Sequence, residues 1–291
     1  MFNPNTSVID AFVAHCLTEF QQLFPAAGTE QCNALQQAAR TSLETLLNCD
    51  CPYHDIQHTI LVTEVGQTIL QGRQLARGDL TAHQWIQAVV AMLFHDIGYL
   101  RTLLPEDERE DAKINLQGER VSIPVGATDA FMTPYHVSRG CLFVKERFAK
   151  DPFLDTDLIC ECIEMTRFPV PKDSAYRATD TLPGLVRAAD LIGQMADPQY
   201  LQKLSRLYAE FVETGEAGRL GFNNPGELRA GFPDFFYAQV QPYIGDGVAY
   251  LKRTQQGQQW IANLYHHLHI DESNADLDPK IRAPELVVDN R

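Results

Sequence analysis

The chain has 291 residues, 45% of them apolar, and its 24 Lys plus Arg against 38 Asp plus Glu leave a formal charge of −14. That size buries a large core, and the acidic field, unrelieved by any basic run, argues against extended nucleic acid while admitting a small phosphate ester held through a metal. Seven Cys, with CxC pairs Cys49/Cys51 and Cys160/Cys162 that lack a zinc-ribbon second half, no leader-like start and no long apolar window, predict a cytoplasmic protein without membrane contact.

Helical spacing begins with Ile9, Phe12, Val13, Cys16, Leu17 and Phe20 and repeats from Glu30 to about Leu47. After CDCPYHD, apolar positions from Ile56 to Leu70 predict a third helix that starts at or just after Pro52 and ends near Gly72 or Gly78. A fourth runs from Thr81, a capping residue, through WIQAVVAMLFHD to a terminator at Gly98. The polar stretch 105–124, with PEDEREDAK followed by the alternation RVSIPV, predicts an exposed insertion or a mobile lid. Further helices are expected from about Thr133 to Phe148, from Thr156 to Met165, in LPGLVRAADLIGQM, and in three stretches from Pro198 onward. The prediction is an all-α chain with one domain over 1–270, a polar insertion, a C-terminal helical elaboration and a peripheral or mobile tail over 271–291.

Three contexts stand out, two of them drawn from the nine histidines. His54 and His58 are four residues apart, which on a helix puts both imidazoles on one side. His95 and Asp96 end the apolar run AVVAMLF, and Asp190 sits among small and apolar residues in LVRAADLIGQM. A buried carboxylate without a partner is costly, and a divalent cation offsets that cost by coordination. An isolated His is more often a hydrogen-bonded boundary residue, and the HHLH run at His266, His267 and His269 reads that way. No Walker loop, dinucleotide-binding glycine fingerprint or G-x-S-x-G elbow appears.

With His58, the doublet in LFHDIGY and the distal Asp in AADLIG, the stretch from Cys51 to Met195 resembles the HD-domain metal-dependent phosphohydrolase superfamily. The run PYHDIQH is also similar to the PYHNxxH signature of cyclic nucleotide phosphodiesterases, with Asp55 in place of Asn and Tyr99 in place of a later His. The resemblance implies an HD-like helical bundle in which His58, His95, Asp96 and Asp190 bind metal. It also implies that Asp96 bridges toward a second ion in dinuclear members, and that His54 is the proton donor.

These expectations give metal-activated hydrolysis of a phosphate monoester or diester, in a nucleotide or related small metabolite, with His54 and Asp96 catalytic. One or two divalent ions are expected, with Mn, Fe, Zn and Mg all compatible with the donor set. His136 is expected as a second-metal ligand, and Arg139, three residues on, as a contact to substrate phosphate, against a boundary or surface role for each. Glu64, Glu161 and Glu164 are outer-shell acceptors at most, since a solvated helix face accounts for them better. The competing readings are an HD-type diiron oxygenase and a metal-dependent nucleotide-binding or regulatory module without turnover. Oligomeric state is open.

Overall fold

The computed structural model describes residues 3–275. The early periodicity becomes α1 (Pro4–Leu23) and α2 (Thr29–Leu46), packed on each other through Ile9, Phe12, Val13, Cys16 and Phe20 from one and Leu35, Ala38, Ala39, Leu43 and Leu46 from the other. In α3 (Ile56–Arg77) the Asp55 carboxylate accepts the N–H groups of Gln57 (2.9 Å) and His58 (3.0 Å), and Gly78 closes the helix in the left-handed region at φ 65°. The helix thus starts at Ile56, not Pro52, and His54 lies in the turn before it. That corrects the expectation of two imidazoles one helical turn apart.

Thr81 caps α4 (Ala82–Phe94) through a reciprocal exchange with Gln84, and every residue from Trp85 to Phe94 is buried, as an apolar helix surrounded on all sides requires. The helix ends at Phe94 with His95 as its C-cap, and Ile97–Tyr99 make a separate 3-10 turn, so Gly98 does not terminate it. Gly98 serves a different purpose: a Cβ there would stand 1.9 Å from the carbonyl oxygen of His136, so its absence lets the two segments touch.

The insertion is a hairpin of β1 (Asp111–Lys113) and β2 (Arg120–Ser122), antiparallel with Asp111 opposite Ser122 and Lys113 opposite Arg120. Next come α5 (His136–Phe148), α6 (Thr156–Glu164), α7 (Leu182–Met195) and α8 (Tyr200–Glu213). The elaboration consists of three short helices, α9 (Glu216–Leu220), α10 (Pro225–Ala230) and α11 (Phe232–Phe235), a π turn over Phe236–Val240, and then α12 (Gln241–Leu251) and α13 (Gln255–Ala275). α13 continues to Ala275, and the rest of the segment expected as a peripheral or mobile tail lies outside the described residues. Among the described residues no helix is long and apolar enough to cross a membrane.

The centre is α3 lying along α7, flanked by α4, α6 and α12. Gly193 on α7 sets that approach, since a Cβ there would come within 2.7 Å of the Val62 Cα. Any side chain larger than hydrogen would push the helices apart, and with them His58 on α3 and Asp190 on α7.

Candidate metal centre

Three segments deliver the cluster: the first turn of α3 brings His58, the end of α4 brings His95 and Asp96, and the middle of α7 brings Asp190. Donor atoms of His58, His95 and Asp190 all lie within 4.8 Å of one another, a set capable of chelating one metal ion. His58 Nε2 is 3.3 Å from His95 Nε2 and 3.6 Å from Asp190 Oδ1, and His95 Nε2 is also 3.6 Å from Asp190 Oδ1. Asp96 Oδ2 lies 3.2 Å from His58 Nε2 and 3.1 Å from His95 Nε2. The structure thus brings together all four residues expected as ligands.

These spacings test the fit of a cation. Ligand atoms at about 2.0–2.2 Å from one ion stand roughly 3.0–3.5 Å from each other, close to the separations here. The His95 ring is oriented by its Nδ1, which donates to the Met92 carbonyl at 2.7 Å and leaves Nε2 for the cluster. Asp96 Oδ2 is buried and, despite the nearby nitrogens, has no hydrogen bond of acceptable geometry. An orphaned carboxylate oxygen facing imidazole nitrogens is the arrangement a divalent cation satisfies.

The carboxylates of the cluster favour the charged forms of its imidazoles. Burial disfavours the imidazolium of His58, but Asp190 and Asp96 outweigh it and push the group up to about 9. His95 is likewise raised to about 9, with burial opposed by Asp96 and then Asp190. Burial works against the Asp96 carboxylate too, yet His95 and His58 hold it well below the usual range.

Beside the cluster, His54 Nδ1 donates to Glu210 Oε2 at 2.6 Å, and Glu210 Oε1 accepts the N–H groups of Tyr53 (2.6 Å) and His54 (3.2 Å). Burial opposes the charge on both side chains, but each stabilises the other: His54 is raised and Glu210 lowered. Although His54 precedes α3, its ring still reaches 5.4 Å from that of His58. Glu210 is the residue that sequence reasoning missed. Its signal lies in α8, where Tyr200, Lys203, Leu204 and Leu207 mark the buried stripe and Glu210 continues it at a position that should be apolar.

His136, the first residue of α5, donates from Nδ1 to the Thr133 carbonyl at 2.6 Å, so its Nε2 carries the lone pair and stands 3.9 Å from Asp96 Oδ1. Burial lowers this imidazole to about 4. Tyr99 is stacked between His54 and His136, with ring centroids 4.7 Å and 4.3 Å away.

Arg139 is placed elsewhere. It is fully buried, and its guanidinium donates to the Gly98, Leu100 and Lys113 carbonyls and to Asp107 at 2.9 Å, tying the hairpin to α5. With its donors so committed it has none to offer a phosphate, which corrects that expectation. Of the outer-shell acceptors, Glu64 bonds His15 (2.8 Å), Glu164 bonds Arg167 and Tyr176 (2.6 Å), and Glu161 is exposed. His267 is buried within α13 and bonds the Met195 carbonyl at 2.9 Å, rather than sitting at the surface boundary expected. A cavity of about 390 Å³ lined by Asn48, Leu100, Arg101, Thr102, Arg109 and Asp129 includes none of the cluster residues, so donor chemistry rather than cavity shape defines the site.

No curated protein matches the chain. Residues 2–274 match the family described as Npun_R2479-like, and the chain belongs to that family.

Proposed function

We propose that the chain is an HD-domain-type, metal-dependent phosphohydrolase acting on a phosphate monoester or diester of a nucleotide or related small metabolite. The observation that carries this reading is the convergence of His58, His95, Asp96 and Asp190 beside a buried His54–Glu210 pair. A bare chelating site needs no proton carrier; hydrolysis of an ester does, because the leaving oxygen must be protonated.

His58, His95, Asp96 and Asp190 would hold the ion, and their mixed nitrogen and oxygen donors suit Mn, Fe or Zn better than Mg. Bound there, a divalent cation supplies Lewis acidity toward a phosphoryl oxygen and lowers the pKa of a coordinated water. The chain's own contribution is positioning and proton transfer. Glu210 fixes the His54 ring through Nδ1 and raises its proton affinity, leaving Nε2–H to donate toward the departing oxygen. His136 Nε2 and Asp96 Oδ1 are two acceptors facing each other, and only a donor or a second cation satisfies both.

The test is purification with native metal retained, elemental analysis, and a panel of linear and cyclic nucleotide esters and simple phosphomonoesters. Divalent-dependent release of phosphate or of a cleaved ester is expected. Iron- and oxygen-dependent oxidation without phosphate release, or nucleotide binding without turnover across several metals, overturns the proposal.

A further inference from the structure

The sequence groups Cys160 with Cys162 as a CxC pair, but the fold partners Cys160 differently. Residues two apart on a helix point to nearly opposite sides. Cys162 accordingly enters the core at 0% exposure, while Cys160 faces Cys141 on α5. The Cys141 thiol donates to the Cys160 carbonyl at 3.7 Å and the Cys160 thiol donates to the Cys141 carbonyl at 3.6 Å. Each sulfur therefore lies over the other residue's backbone, and the two side chains share one gap between α5 and α6.

We propose that Cys141 and Cys160 form a thiol-oxidation site, a dithiol that a hydroperoxide converts into a disulfide joining α5 to α6. Cys141 is partly exposed and gives the oxidant a path to the buried Cys160, which supplies the nucleophile. The Cys160 thiol is held below its usual range by hydrogen bonding with the Cys141 side chain and, against burial, by the Lys145 ammonium one turn along α5. Cys141 is displaced upward by the same contact and by burial, so it resolves rather than initiates.

The chemistry balances with hydrogen peroxide as oxidant. The Cys160 thiolate attacks one peroxide oxygen; the S–O bond forms, the O–O bond breaks, and the departing hydroxide takes up the thiol's proton as water. Cys141 then attacks the sulfenic sulfur; the S–S bond forms, the S–O bond breaks, and the leaving hydroxide collects the Cys141 proton as a second water. Two thiols are oxidised and one peroxide is reduced. The bond would clamp the helix that begins at His136 to the helix whose end is already tied to it through Arg167 and Ser138 (3.0 Å).

The experiment treats the full-length, metal-loaded protein with a slight excess of hydrogen peroxide, followed by alkylation, non-reducing digestion and mass spectrometry. A single linked pair joining the Cys141 and Cys160 peptides is expected, lighter by two hydrogens and reversed by dithiothreitol. It should be absent in C141S and C160S and present in C162S. The oxidised wild type should melt about 5–10 °C above the reduced form, the rise expected from closing a loop of this length. Cys141 and Cys160 remaining alkylatable after peroxide, Cys160 linking to Cys162 instead, or Cys160 passing to the sulfinic acid uncaptured overturns the assignment. The wild-type map decides the matter even where a serine variant fails to fold.

Discussion

Replacing Glu210 with Gln isolates the proton-carrying pair from the metal cluster. The amide oxygen still accepts the N–H groups of Tyr53 and His54, so the turn before α3 keeps its anchor, while the carboxylate 2.6 Å from His54 Nδ1 loses its charge. A hydrogen bond to a charged group contributes about 1.5–3 kcal/mol. If that contribution supports the protonated acid in the transition state, kcat/KM should fall roughly 10- to 150-fold, at about 1.36 kcal/mol per tenfold. The pH profile supplies the second signature. Wild-type His54 is raised by Glu210 against the pull of burial, so its acid form persists to higher pH; in E210Q the basic limb should move to lower pH. Stability follows the same linkage. The His54 contribution is complete below its ordinary value of 6.5 and is lost as pH rises through the raised folded value. That of Glu210 is present above 4.5 and lost as pH falls through the lowered one, so the pair stabilises the fold between those limits. The assay is kcat/KM against pH on whichever ester the wild type cleaves, with metal content measured in parallel. An unchanged rate and limb, or loss of metal, would refute the role given to Glu210.

His58→Ala and Asp190→Ala should lose metal and activity together, whereas His54→Ala should retain metal while turnover drops about 10²- to 10⁴-fold; elemental analysis beside kinetics separates the two classes. Because His58 and His95 are pushed up to about 9 without an ion, divalent binding at neutral pH should release up to about two protons, read by calorimetry in buffers of different ionisation enthalpy. Zero release would mean that these imidazoles do not give up protons to the metal. Arg139→Met should cost about 3–5 kcal/mol, since it strands the buried Asp107 carboxylate and three carbonyls, and it should lower Tm while leaving KM unchanged. A raised KM at unchanged Tm would return Arg139 to a substrate-binding role.

The helices were legible because each buries a continuous stripe or, in α4, its whole circumference, and that periodicity is local information. The two carboxylates of the cluster were legible for a related reason: Asp96 and Asp190 break apolar runs, and a charge in such a place calls for a partner. Local rules failed where two of them competed. Asp55 captures the first N–H groups of α3, which moves the helix start past His54; spacing alone gave the helical alternative. Arg139 was grouped with His136 on a three-residue interval, but such residues differ by about 60° around a helix, enough to turn one toward the cluster and the other toward the hairpin. Glu210 stands 156 residues from His54, so their meeting is a property of packing that no window contains.

Tyr99 shows how a departure at one position reshapes the chemistry around it. Where the phosphodiesterase-like pattern carries a histidine, this chain places a phenol whose ring lies within 17° of the His54 plane and 12° of the His136 plane. Burial holds that phenol neutral, so the stack separates two imidazoles without adding charge between them. Their environments then diverge: His54 has a carboxylate in direct hydrogen bond and is raised, whereas His136 is lowered to about 4 by burial, with the nearest Asp96 oxygen 3.9 Å away. In the proposed mechanism these two rings of one residue type, on opposite faces of one tyrosine, serve as proton donor and as lone-pair donor. Substituting Tyr99 with a smaller apolar residue removes the spacer from both, so the pH limb assigned to His54 and any binding at His136 should change together, though the residue itself carries no charge.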